Sequence, residues 1–249
     1  MRKLYLFFVL VCGSFLCGAV PEEAWEIVAP YLIPDDHPIK PRLDRLFSQQ
    51  RAIADRHALV AAGFENKNPE PRTGVFVVRH SKMPGYVFKI YTDDKLSYYR
   101  GEPEYLTWML RARGAKLIRQ EIKAKRWEKY FKAPKKWIYT LPTVPIAHPE
   151  HLQKNFILVE QEMDILPNAK SKKKWKDGTM TKTDLDRLYY LITKVGLRGG
   201  CKYDNIPICK DGRIAFIDTQ NNLCWPLPYE RLLHVLHGKM RAHWEKLTK

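Results

Sequence analysis

Residues 196–219, GLRGGCKYDNIPICKDGRIAFIDT, hold the side chains whose types and spacing suit chemistry. Asn205 precedes two apolar runs, 206–209 and 213–218, and Asp218 closes the second. Lys210-Asp211-Gly212 joins them, and Asp-Gly between apolar runs is a strong hairpin signal. Such a hairpin brings the Asn205 and Asp218 oxygens together. Mg²⁺ suits that arrangement, because it takes few protein ligands and completes its shell with phosphate and water. Taken singly, Asn205 reads equally as a turn residue and Asp218 as a strand-end cap. Asp204 next door is a candidate general base if its loop sets the carboxylate one hydrogen bond from an acceptor hydroxyl. Farther away, Lys89 places a cation inside the apolar run YVFKIY. Its plain alternative is an edge-strand lysine facing solvent.

The elements that must position these groups follow from periodicity. Ala24, Ile27, Val28 and Tyr31 recur at helical spacing, and Pro34, Pro38 and Pro41 then break the chain. A second helix is predicted over 42–61, followed by the polar, proline-bearing loop FENKNPEPRTG. Alternation predicts a strand at 75–79 and, across the turn SKMPG, a returning strand at 86–91 that carries Lys89. A long helix is predicted over 104–131, interrupted at Gly114, with Leu117, Ile118 and Ile122 on one face. Short apolar runs at 137–139 and 156–159 read as strands, and NAKSKKKWKDG at 168–178 as a lysine-rich loop. Thr181 caps an amphipathic helix running to Val195, and one helix over 229–247 closes the chain.

Residues 1–19, MRKLYLFFVLVCGSFLCGA, have two basic residues, an apolar run and a small-residue site suited to signal peptidase before Val20. The expectation is an exported protein, periplasmic or secreted, with no membrane span after cleavage; an uncleaved anchor is the alternative. Val11 and Leu16, preceding Cys12 and Cys17, do not fit a lipid-attachment site. The 249-residue chain has a formal charge of +16, and loss of Arg2 and Lys3 removes only two units. A balance this basic favours anionic partners, although a charge spread through the sequence also describes a solvated surface. Cys201, Cys209 and Cys224 follow the leader; their odd number permits one disulfide or none, and their spacing shows no metal pattern. No internal repeat is visible, and the length suits one large domain or two lobes around a cleft.

The element order (strand, lysine-bearing strand, helix, two strands, acidic linker, helix, Asn loop, hairpin, Asp) resembles the protein-kinase-like fold over residues 74–220. The resemblance implies an α+β, two-lobed architecture with a β-rich N-lobe and a reduced helical C-lobe. Its divisions are a signal peptide at 1–19, a helical segment and loop at 20–73, an N-lobe through the hinge at 74–166, and a C-lobe at 167–249. It implies ATP and Mg²⁺ as cofactors, with Lys89 holding the α and β phosphates and Asn205 and Asp218 holding the metal. A helix glutamate should fix Lys89, Glu121 first and Glu104 as its rival. The run FILVEQEMDIL resembles the strand and hinge that present backbone groups to adenine, which singles out Glu160, Glu162 and Met163.

The chain departs from that pattern in four places. Counting back from Asn205, the base falls on Gly200, which has no side chain; Asp218 is followed by Thr219-Gln220 instead of Phe-Gly. No glycine-rich loop precedes the first strand, and 31 residues follow Asp218, too few for an activation segment with a full helical lobe. The expected function is therefore that of a pseudokinase-like protein binding a nucleotide or another phosphate ligand. The alternative is an active atypical kinase acting on a small molecule or a host protein, since the loose transition state depends mainly on positioning and electrostatics. A third reading is a basic binding module using the lysines of 170–176 on an anionic surface. Nucleic acid is disfavoured, because that stretch offers one aromatic, Trp175, for base stacking.

Overall fold

The computed structural model describes residues 20–66, 74–95, 102–177 and 180–249, so the leader segment and most of the predicted proline-bearing loop lie outside the described residues. Seven strands are present among them: β1 (Phe64–Asn66), β2 (Phe76–His80), β3 (Tyr86–Ile90), β4 (Phe131–Lys132), β5 (Lys136–Thr140), β6 (Phe156–Gln161) and β7 (Ile214–Ala215). Five form an antiparallel sheet in the order β1-β2-β3-β6-β5. Because side chains alternate between faces, Phe88, Ile90, Ile157, Val159 and Tyr139 pack on one side, whereas Ile138, Phe156 and Leu158 pack on the other. The register sets Lys89 opposite Leu158 and Lys136 opposite Glu160. Lys89, Lys136 and Glu160 therefore share the second face, with Glu160 diagonal to Lys89.

Seven α-helices complete the described fold: α1 (Glu22–Val28), α2 (Lys40–Gln49), α3 (Arg56–Ala61), α4 (Glu104–Ala124), α5 (Asn168–Lys176), α6 (Lys182–Val195) and α7 (Gly238–Leu247). The molecule is thus mixed α+β. The helix predicted over 42–61 is two helices, because Gln50 is extended and Asp55 starts α3 by accepting the Ala58 N–H at 2.8 Å. Leu43 and Phe47 of α2 and Leu59 of α3 cover the first face of the sheet. On the second face, α4 buries Trp108 and Ala112, and the Trp108 indole donates to the Phe156 carbonyl at 3.1 Å. Gly114 does not interrupt α4, contrary to expectation. It is a close-approach site, where a Cβ would lie 2.1 Å from the Thr219 carbonyl oxygen.

The lysine-rich stretch expected as a loop is α5, held by buried Ser171 and Trp175 one turn apart. Burial of Trp175 removes the one aromatic that base stacking would have used. The predicted cap at Thr181 forms as a capping box: Thr181 accepts the Asp184 N–H, and the Asp184 carboxylate accepts the Thr181 N–H, each at 3.1 Å. Leu185, Leu188, Ile192 and Val195 of α6 then pack with Ile118 and Ile122 of α4 and Trp244 of α7. The hairpin after Asn205 is shorter than predicted. The Cys209 N–H donates to the Arg213 carbonyl at 2.8 Å, but β7 pairs in parallel with β4. The closing helix is a 3-10 turn at Tyr229–Leu232 followed by α7. Among the described residues, no helix is long and apolar enough to cross a membrane.

Candidate functional site

Two lysines and one carboxylate meet beneath α4. Glu160 Oε1 lies 2.9 Å from Lys89 Nζ and 2.7 Å from Lys136 Nζ, and both ammonium groups donate to the Ile217 carbonyl, at 3.2 and 2.9 Å. Burial of Lys136 outweighs the pull of Glu160 and brings its pKa down to about 7. Burial alone would raise Glu160, but the two lysines outweigh it and hold the carboxyl below its ordinary value. The partner of Lys89 is consequently Glu160, neither of the two helix glutamates expected. Glu121 faces α6 and accepts from the Tyr190 hydroxyl at 3.3 Å, and Glu104 caps the Asn155 N–H at 2.8 Å. Glu160 reaches Lys89 along the diagonal across β3 and β6, whereas Glu121 lies near the C-terminal end of α4.

Glu162 and Met163 line a pocket of about 100 Å³ together with Lys89, Glu160, Val77, Val87 and Ile217. Glu162 carries an ion pair with Arg79 at 2.7 Å, and the Met163 carbonyl accepts from Cys209 Sγ at 3.1 Å. Cys201, Cys209 and Cys224 are all free thiols. This space falls well short of the roughly 300–1,000 Å³ of ordinary small-molecule sites.

Asp218, the residue after Ile217, lines with Asn205 a cavity of about 500 Å³ that has Arg111, Arg198, Lys202 and Arg231 as its basic groups. The structure thus brings Asn205, Asp218 and the Lys89 cluster to one place in the fold. Arg111 Nη1 contacts Asp218 Oδ1 at 2.8 Å, and the two charges fix each other. Burial pushes the Asp218 carboxyl up, but Arg111, Lys89 and Lys136 overcome it and bring the pKa to about 2. Asn205 donates its amide to the Gly199 carbonyl at 3.2 Å. The strand end is clamped to α4 as well: Thr219 donates to the Arg111 carbonyl at 2.6 Å and Asn222 to the Leu110 carbonyl at 2.8 Å. Gly114 permits this approach.

Asp204 is exposed and outside the cavity lining, so it is not placed to accept a proton there. Gly200 is buried, and a Cβ on it would lie 2.6 Å from Ile192 Cγ2 of α6. A side chain at position 200 would point into the helical core, away from Asp218. The donor set also does not fit Mg²⁺. Among the described residues, the one carboxylate of the lining is paired with a guanidinium, and three further cations line the same space. Among the described residues, no group of three or more His, Cys, Asp and Glu could hold a metal ion.

Sequence reasoning missed Arg111 and Lys136. Both had a readable signal. Arg111 interrupts the apolar stripe Trp108, Ala115, Ile118, Ile122 at helical spacing, and Lys136 shares its strand face with Ile138. A cation in such a position needs a buried partner.

No family model and no curated protein matches this chain. Among solved structures it is similar to Rv3197 of Mycobacterium tuberculosis, determined as a complex with erythromycin, with 17% identity and a TM-score of 0.35. The match covers 83% of this chain and 60% of that one, so the chain spans less than two thirds of the neighbour's length.

Proposed function

We propose that the protein has a protein-kinase-like fold, with the five-stranded sheet and α4 as one lobe and α5, α6 and α7 as the other, and binds a phosphate-bearing ligand between them without transferring phosphate. The observation that carries this reading is the closed position at Gly200 beside an open cationic cavity. Arg111 lines the cavity and Lys89 lies against the neighbouring Ile217 carbonyl, so both supply the positive charge that a phosphate requires. Among the described residues, no carboxylate other than Asp218 lines the cavity, and Arg111 holds that one as a low-pKa anion, a poor base at neutral pH. Binding therefore has its electrostatic means and proton abstraction lacks its group.

Thermal unfolding with millimolar ATP and with pyrophosphate, each with and without Mg²⁺, tests the reading, because a ligand of the native state raises apparent stability. At least one of the four conditions should raise the melting temperature, and a parallel assay should detect no transfer of the γ-phosphate. Failure of all four to shift it would reject the reading. The alternative, an active kinase using Lys89, Asn205 and Asp218, requires transfer that Asp218→Ala abolishes.

A further inference from the structure

We propose that the cavity beside Asp218 binds its ligand as a phosphate or pyrophosphate group free of divalent metal, with the Arg111 guanidinium standing where a cation would otherwise neutralise Asp218. The inference rests on the phosphate-ligand reading and narrows its ligand class. Among the described residues, four basic side chains and one carboxylate line the space, a net excess of three positive charges before any ligand enters. A divalent cation entering there would meet like charge and would have to displace a guanidinium at 2.8 Å from Asp218 Oδ1. An anion meets the opposite field.

The arrangement is built into the fold. The Arg111 side chain is 10% exposed, rises from the buried stripe of α4, and carries an Nε that is buried with no hydrogen-bond partner. Arg198, Lys202 and Arg231 are exposed at the rim, where they can turn onto a ligand that enters. Guanidinium groups match the planar spacing of phosphate oxygens, and two of the rim cations are arginines. Asp218 would repel an isolated phosphate. Arg111 contacts that carboxylate at 2.8 Å, and the charge of nearby Lys89 adds to it, offsetting the repulsion. The hinge-side pocket, at about 100 Å³, adds little room for a base, so the anionic group itself is the part recognised.

The test uses the chain with calorimetry and thermal unfolding, in EDTA and again in excess Mg²⁺, with pyrophosphate, ATP and sulfate as probes. Pyrophosphate in EDTA should bind and raise the melting temperature, and excess Mg²⁺ should weaken it by covering the phosphate charge. A response to ATP equal to that of pyrophosphate identifies the phosphate chain as the recognised part; an equal response to sulfate overturns the phosphate specificity. Arg198→Gln and Arg231→Gln, both at exposed positions that leave the core intact, should each weaken pyrophosphate about tenfold, the loss of one charge-assisted contact. Arg111→Gln should abolish the response.

Location has its own readout. Cys224 is part-exposed and lines this cavity, whereas Cys201 and Cys209 are buried. Pyrophosphate should slow alkylation of Cys224. An unchanged alkylation rate under saturating ligand would place the ligand elsewhere and overturn the proposal. Stabilisation that appears only with Mg²⁺ would overturn the metal-free inference while leaving the phosphate-ligand reading in place; no stabilisation under any condition would overturn both.

Discussion

Gly200 has only a hydrogen where a side chain would meet Ile192 Cγ2 at 2.6 Å, and it sits in a 3-10 turn between α6 and Asn205. A carboxylate placed there would meet Ile192 and Leu197 and not the Asp218 cavity. Gly200→Asp should destabilise the protein by about 1–3 kcal/mol, as overpacking of a filled core does, and should create no phosphate transfer. Urea unfolding and a transfer assay on the same preparation check both parts. Lys136 makes a prediction in pH. Its folded pKa is lowered to about 7, while the unfolded chain holds the proton to about 10.4. Between those values the unfolded state binds more protons, so stability rises with pH across that window. The melting temperature of the protein, relative to that of Lys136→Met, should climb from pH 7 to 10; parallel profiles would show that Lys136 is not titrating there. At this scale Lys89, Asn205 and Asp218 were legible because polar types stood out against apolar runs. Glu160 was legible as a residue but not as the partner of Lys89, since pairing across a diagonal depends on register.

The element that organises the site is α4, which carries Arg111 and accepts Asn222, Thr219 and the strand end against its backbone. Gly114 makes that contact possible. Gly114→Ala places a methyl 2.1 Å from the Thr219 carbonyl oxygen and 2.8 Å from Asn222 Nδ2, both on a clamped segment. The expected cost is about 3 kcal/mol, with the Arg111–Asp218 contact displaced; denaturant midpoints and pyrophosphate affinity should fall together. A variant that kept its stability and lost only affinity would mean the backbone gives way locally. Sequence alone reads Gly114 as a break, because a glycine within a helix lowers propensity whether or not something packs on it. The same limit applies to α5: five lysines in nine residues look solvated and loop-like, yet Ser171 and Trp175, four residues apart, dock the helix.

At the scale of the whole molecule, the cationic cavity draws its lining from distant parts of the chain, Val75 and Tyr91 by the sheet, Arg111 of α4, and residues between Arg198 and Arg231. Its excess of positive charge comes from rim arginines and lysine exposed to solvent, so binding of pyrophosphate should weaken as salt rises. Titrations at about 0.05 and 0.5 M salt check this; an affinity indifferent to salt would remove the long-range field from the account. The periodicity and turn chemistry of the sequence determined β2, β3, β5 and β6, the capped helix α6, and the Asn205 and Asp218 flanks, since these depend on neighbours within a few residues; β1 lies in the stretch read as a loop, and β4 follows α4 where the helix was expected to continue to 131. Tertiary structure alone decided which charges neutralise one another. Lys89 and Glu160 are 71 positions apart, and Arg111 and Asp218 are 107 apart. No local pattern records such pairs, because each side chain is polar in the same way until the fold chooses its partner and strips away the water.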